Sequence, residues 1–222
     1  MNKPKEYKIQ LLRRYCLEKE YFCFDFTKPE GFEFIEGQFG VFGILNKEVE
    51  GRKLRAFSIA STNEEPFIRV ATKINSTPSS YKKIWMELLI GEEVTMNAPL
   101  GEFVYENKLD AVFIAGGIGI TPLRSMLFSK QRISQSDTLI YSELEGIYPF
   151  KDEIMSIPHL TVLYAADIEP TQRVIRESAQ KHQNDALYYL SGSPGFVKGI
   201  TALLKEQGIM EDHIRFDVFL GY

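Results

Sequence analysis

Residues 111–127 read AVFIAGGIGITPLRSML, and this stretch decides the architecture. Ala111–Ala115 is an unbroken apolar run, the signature of a short strand buried on both faces. Gly116-Gly117-Ile118-Gly119 follows as a turn, with Pro122 at the start of a predicted helix whose Leu123, Met126 and Leu127 share one face. A strand running through a glycine turn into a helix is how a dinucleotide-binding unit opens. Glycine lets the backbone approach a pyrophosphate, and the helix N-terminus offers free N–H groups and a favourable dipole. Proline takes the place of the third glycine in G-x-G-x-x-G, and the Gly-Lys-Ser/Thr of a P-loop is missing. A purely structural turn remains the other reading of the glycines.

Downstream, the runs TLIY (138–141), LTVLYAA (160–166) and ALYYLS (186–191) also read as strands buried on both faces, and IRFDVFL (214–220) as a last strand. Helical spacing covers 122–131 and 194–207, the latter through Val197, Ile200 and Leu204, with Gly208 as its stop. Alternating strands and helices predict a doubly wound parallel sheet over 107–222.

Upstream the rhythm changes to period two: Tyr7, Ile9 and Leu11, then Phe22, Phe24 and Phe26, then runs at 38–45, 54–61, 67–73 and 93–99. Short strands at close spacing predict an antiparallel barrel or sandwich over 1–106. One helix interrupts it, with Ser79 or Ser80 as N-cap, Tyr81, Ile84, Trp85 and Leu88 on one face, and Gly91 as its stop. The boundary falls near Glu106–Lys108.

Composition removes several classes of function. With 222 residues, 44% hydrophobic, 25% charged and a formal net charge of −4, the chain has no bulk attraction for nucleic acid or anionic membrane. No apolar run approaches the roughly 20 residues that span a bilayer. The opening MNKPKEYKIQ lacks a secretory apolar stretch, so no integral membrane segment and a cytoplasmic location are expected. Cys16 and Cys23 cannot supply the four thiolates of an iron–sulfur cluster, and His159, His182 and His213 lie too far apart for ligand spacing. No resident metal is expected, and any cluster in the system sits on another chain.

Two further places carry chemistry. Arg55-Ala56-Phe57-Ser58 sets a guanidinium, a ring and a hydroxyl along one strand, with Arg55, Phe57 and Ile59 on one face and Ala56 and Ser58 on the other. By composition alone this is also an ordinary strand. After TLIY, Ser142 and Glu143 stand at the end of the second strand of the dinucleotide unit. A carboxylate there accepts hydrogen bonds from a free ribose diol and repels a 2′-phosphate, so Glu143 favours NADH over NADPH. A solvated loop glutamate is the plainer alternative.

Arg-x-aromatic-Ser, Gly-Gly-x-Gly-x-Thr-Pro and a terminal Phe-x-Gly-Tyr, in that order along nearly the whole chain, resemble the ferredoxin–NADP reductase family. The resemblance implies an antiparallel barrel that binds FAD, followed by an α/β domain that binds NADH or NADPH. It implies Arg55 on the flavin pyrophosphate, Phe57 against the isoalloxazine and Ser58 near flavin N5. Ala56, Val70, Thr72 and the helix-start serines Ser79 and Ser80 join the cofactor contacts. Gly37-Gln38-Phe39 resembles the strand preceding the flavin motif, and Pro99-Leu100-Gly101-Glu102-Phe103 the turn that closes the barrel. On the nucleotide side it implies Gly116, Gly117, Gly119, Ile120, Thr121 and Pro122, then Ser142 and Glu143, then Gly192 and Pro194. Ser191 and Asp217 stand where the family commonly has cysteine and glutamate, and with Ser58 they are the residues nearest the chemistry. Ser76 replaces a glycine of the flavin cradle. Tyr222 is a terminal aromatic placed to lie against the flavin.

The expected activity is transfer of a hydride from NAD(P)H to bound FAD and then of electrons to ferredoxin, flavodoxin, an oxygenase component or a small acceptor. A reductase subunit of an oxygenase-type complex and a flavin- or nucleotide-binding sensor without turnover are the competing expectations. Dihydroorotate dehydrogenase electron-transfer subunits resemble the chain less, because they need a cysteine cluster.

Overall fold

The computed structural model describes residues 3–106, 108–129 and 137–219. Its contacts divide the chain into two units, with the division between Val104 and Tyr105.

The first unit contains β1 (Lys5–Glu18), β2 (Tyr21–Thr27), β3 (Phe39–Ile44), β4 (Leu54–Ser58), β5 (Phe67–Lys73), α1 (Ser80–Glu87) and β6 (Glu93–Leu100). The antiparallel order is β4-β3-β6-β1-β2-β5. β1 is long because it changes partner. Lys5–Gln10 pair with β6, then Leu11–Glu18 pair with β2 past an irregularity between Leu11 and Arg13. The edge strands are joined where the Ala60 N–H donates to the Arg69 carbonyl (2.8 Å) and the Arg69 N–H to Ser61 Oγ (3.0 Å), which closes the six strands as a barrel.

Inward-facing Phe24, Phe26 and Phe42 surround Trp85 of α1, with ring centroids 5.0, 5.5 and 5.8 Å from it. Alternation along β2 sends Asp25 to the opposite face from Phe24 and Phe26, yet Asp25 is wholly buried. Arg69 grips its carboxylate in two bonds, Nε to Oδ1 at 2.8 Å and Nη2 to Oδ2 at 3.0 Å, and Arg13 Nε donates to Oδ2 as well. Phe67 lies under both guanidinium groups, 4.7 Å from that of Arg69 and 5.0 Å from that of Arg13. These contacts join β1, β2 and β5.

The second unit contains β7 (Asp110–Gly116), α2 (Ile120–Phe128), β8 (Thr138–Ser142), α3 (Lys151–Met155), β9 (Thr161–Ala165), α4 (Ile168–His182), β10 (Ala186–Gly192), α5 (Pro194–Glu206) and β11 (Ile214–Val218). Its strands are parallel in the order β11-β10-β7-β8-β9, so the winding direction reverses between β7 and β10. Tyr105 and Glu106 belong with this unit. The Tyr105 ring lies 6.1 Å from Phe113 and 6.0 Å from Tyr189, the Glu106 N–H donates to the Tyr189 hydroxyl (2.8 Å), and Arg215 Nε donates to Glu106 Oε1 (2.7 Å).

Two expectations need correction. Residues 160–166 are not buried on both faces: β9 is an edge strand, and only Ala165 of its five residues is buried. The sequence reading also names no helix between 166 and 186, where α4 is the longest helix of the described chain. Its buried face is Thr171, Ile175, Ser178 and Ala179, too polar and small to form an apolar stripe. Pro170 resembles a breaker, but it lies in the first turn after the Asp167 N-cap, where a missing N–H costs nothing. Among the described residues no helix is long and apolar enough to cross a membrane.

Removing the Asp25 charge leaves two arginines around a buried neutral group. Asp25→Asn should lower stability by about 3 kcal/mol in urea unfolding, and Arg13→Ala, whose side chain is 54% exposed, by less than about 1 kcal/mol. Equal losses from the two would show that Asp25 is not the centre of this network.

Candidate functional site

On the first unit the candidate residues gather where β4, β5 and α1 come together. Arg55 and Phe57 alternate onto the barrel side of β4. Arg55 is 6% exposed, and its guanidinium lies 5.3 Å over the ring of Tyr81, the residue after the start of α1. Phe57 is half-buried, its ring 4.8 Å from Trp85 and 6.3 Å from Tyr81. Ser58 is buried, and Ala56 is exposed on the opposite face from Arg55.

Val70 lies wholly inside the barrel core, and Thr72 is buried at the far end of β5. Ser79 is the N-cap of α1, its hydroxyl accepting from the Lys82 N–H; the Ser80 hydroxyl accepts from the Glu50 N–H (3.1 Å). Gln38 frames this region. Its amide accepts from the Ile35 N–H (2.8 Å) and donates to the Gly101 carbonyl (3.1 Å), and its own carbonyl accepts from the Ile59 N–H (3.0 Å).

On the second unit the switch point brings the ends of β7 and β10 together. Gly116–Gly119 leave β7 in one turn of 3-10 helix that runs into α2. A Cβ on Gly119 would stand 2.1 Å from the Ser191 carbonyl oxygen, so the turn can lie against β10 only without a side chain there. Gly116 and Gly192 both abut the Phe196 ring, where a Cβ would come within 2.8 Å. Gly116, Gly117 and Ile118 are half-exposed and form the accessible rim. Ile120, Thr121 and Pro122 are buried, and the Thr121 hydroxyl donates to the Ile118 carbonyl (3.1 Å), so their side chains serve packing.

Ser191 is fully buried at the end of β10, between Ala115 of β7 and Asp217 of β11 in register. Its hydroxyl has no hydrogen-bond partner among the described residues, an orphaned polar atom at the point where open α/β sheets bind their ligands. Asp217 is partly buried, and Pro194 opens α5 after the Ser193 N-cap, which accepts from the Phe196 N–H (3.3 Å). The Ser142 hydroxyl meets that of Thr171 at 2.8 Å. Glu143 is 7% exposed, and its carboxylate accepts from the N–H groups of Glu145 (2.7 Å) and Ile147 (3.3 Å). Its side chain is therefore held in place at the end of β8 rather than solvated in a loop. Tyr222 lies outside the described residues.

No family model matches the chain. It is similar to the flavohemoprotein of Bacillus subtilis, 25% identical over 97% of this chain and 60% of that protein. It is also similar to a component of the Na(+)-translocating NADH-quinone reductase of Pseudoalteromonas atlantica, 28% identical over 89% of this chain and 56% of the relative. The chain thus spans little more than half the length of these relatives. Among solved structures, the ferredoxin reductase of carbazole 1,9a-dioxygenase superposes with a TM-score of 0.84 at 18% identity, covering 98% of this chain and 68% of that one. A ferredoxin NADP+ reductase from Neisseria gonorrhoeae with bound FAD and NADP superposes with a TM-score of 0.77 at 18% identity, over 96% and 98% of the two chains.

The chain has the fold of these ferredoxin reductases. Within the ferredoxin–NADP reductase-like frame, both ligand classes meet suitable chemistry. A buried guanidinium beside a capped helix start suits a phosphate-bearing flavin, and an unpartnered hydroxyl at the switch point suits a nicotinamide amide. Sequence reasoning passed over Phe196, against which Gly116 and Gly192 pack, because a lone aromatic gives no periodic signal.

Gly119→Ala should destabilise the protein by about 3 kcal/mol or more in urea unfolding, since backbone must move to admit the methyl group. Gly199→Ala, inside α5 with open space around it, should stabilise by about 0.5–1 kcal/mol. Similar responses at the two positions would contradict the packing described for the glycine turn.

Proposed function

We propose that this chain is a flavoprotein reductase: it takes a hydride from NADH, in preference to NADPH, onto bound FAD and delivers electrons to an acceptor protein. The observation that carries the proposal is the pairing of two clusters on one ferredoxin–NADP reductase-like chain, Arg55, Phe57 and Ser58 on the first unit and the glycine turn with the Ser191 hydroxyl on the second. When bound, the flavin supplies a two-electron acceptor that releases electrons singly. The protein's own residues bind and orient.

Arg55 neutralises phosphate charge, Phe57 offers a flat apolar face, and Ser58 supplies a hydroxyl one residue further along the strand. Gly116–Ile118 offer main chain to a pyrophosphate, and the Ser191 hydroxyl takes a hydrogen bond with the nicotinamide amide while Asp217 sits beside it on β11. No protonated base is required. Glu143, held by two backbone N–H groups, sets a carboxylate at the end of β8, and repulsion of a 2′-phosphate there favours NADH. Neither Cys16 nor Cys23 is in a disulfide, which suits the reducing cytoplasm. The acceptor is a ferredoxin, a flavodoxin or an oxygenase component, in keeping with the dioxygenase ferredoxin reductase among the structural relatives.

Anaerobic stopped-flow mixing of the flavin-loaded protein with each nucleotide tests this. NADH should bleach the flavin at least about tenfold faster than NADPH, the effect of roughly 1.4 kcal/mol of charge repulsion. Faster reduction by NADPH would discard the role of Glu143 and keep the reductase. Bound flavin that neither nucleotide reduces would turn the protein into a binding module, with Ser191 and Asp217 as the cause.

A further inference from the structure

β11 is an edge strand of five residues, paired along one side with β10. A short edge strand makes few ladder contacts, so its position depends on the further ties it makes. Its ends are tied to β10: His213 Nδ1 lies 3.1 Å from the Ala186 carbonyl oxygen, and the Phe219 N–H donates to the Gly192 carbonyl (2.8 Å). Between them Arg215 reaches the segment that leads into β7. Its Nε donates to Glu106 Oε1 (2.7 Å) and its Nη1 to the Asp212 carbonyl (2.6 Å). Glu106 is itself fixed. Its N–H donates to the hydroxyl of Tyr189, a fully buried ring 5.3 Å from that of Phe113, and the Tyr105 ring packs on both. The bond from Arg215, followed by that from Lys108, holds the Glu106 carboxyl below the ordinary carboxylate range, so the pair is ionised at neutral pH.

Register carries this tie to the candidate site. Tyr189 pairs with Arg215 and Ser191 with Asp217, and alternation puts all four side chains on one face of the sheet. The grip on Arg215 therefore acts two residues before Asp217, about 6–7 Å along the strand. We infer that Glu106 is a positioning residue for hydride transfer: through Arg215 it holds β11 so that Asp217 stands beside Ser191 at the nicotinamide end of the site. This rests on the reductase reading above. The glycine turn and Glu143, which serve the rest of the nucleotide, follow β7 and β8, so loosening β11 disturbs the angle of the nicotinamide more than the affinity for the whole nucleotide. An ion pair that only steadies the fold would lower stability and leave the rate of the folded molecule unchanged.

The test is anaerobic stopped-flow reduction of the flavin-loaded full chain by NADH, for the wild type, Glu106→Ala, Asp217→Asn and the double variant, with the folded fraction of each checked by urea unfolding. Alanine keeps the N–H that Tyr189 accepts and removes the carboxylate. Glu106→Ala should lower the limiting rate of flavin reduction about tenfold and shift the half-saturating NADH concentration by less than about twofold. Because Glu106 acts through Asp217, the double variant should be no slower than Asp217→Asn alone. Arg215→Gln breaks the same pair from β11 and should reproduce the rate loss, also in the event that Glu106→Ala fails to fold. An unchanged limiting rate in both Glu106→Ala and Arg215→Gln, or losses that multiply in the double variant, would overturn the assignment while leaving the reductase reading in place. A wild type whose bound flavin NADH does not reduce would remove that reading and this inference together.

Discussion

The second unit is organised around one close approach. The turn at Gly116–Gly119 lies against the Ser191 carbonyl so tightly that a single methyl group at residue 119 has no room. This approach needs a bare backbone on one side and a strand end on the other, and both stand where the parallel sheet reverses direction. Much else follows from it. Phe196 fills the space that Gly116 and Gly192 leave open, α2 starts directly beside β10, and the Ser191 side chain is enclosed with its hydroxyl unspent. The glycines therefore serve packing first, and the accessible rim at Gly116–Ile118 is a consequence of that packing. Ligand binding and fold stability are not separable at this turn.

The first unit solves a different problem. A closed barrel has no spare edge, and its interior here is filled by phenylalanines around Trp85. Polar chemistry is placed where α1 covers one end. The Arg55 guanidinium stands over Tyr81, whose ring packs on Trp85 of the aromatic cluster. The same economy governs Asp25, which is buried away from that end and balanced by Arg69 and Arg13.

The fold was legible in the sequence wherever the pattern was strong. Period-two alternation located the barrel strands, and continuous apolar runs located β7, β8 and β10, because burial on one or both faces dictates those periods. Residues 160–166 looked just as buried, but edge position is a property of strand order, which hydropathy does not encode. α4 was invisible because Thr171, Ser178 and Ala179 pack against the sheet without announcing an apolar stripe. At the candidate site, Arg55, Phe57, Ser58, the glycines and Ser191 were all named from motifs. Their division of labour was not, since a motif cannot tell a glycine that admits a pyrophosphate from one that admits a carbonyl oxygen. The Glu106–Arg215 pair and the backbone capture of Glu143 depend on side-chain direction, which only the folded chain fixes.

Trp85 is the single tryptophan of the chain and lies 4.8 Å from Phe57, so its emission reports directly on the proposed flavin position. Titrating the flavin-free protein with FAD, with correction for absorbance of the added flavin, tests the central claim. Strong quenching of Trp85 that saturates at one FAD per chain, by energy transfer to a flavin beside Phe57, is expected. Tryptophan emission that stays unchanged while FAD demonstrably binds would place the flavin elsewhere and contradict the assignment of Arg55, Phe57 and Ser58.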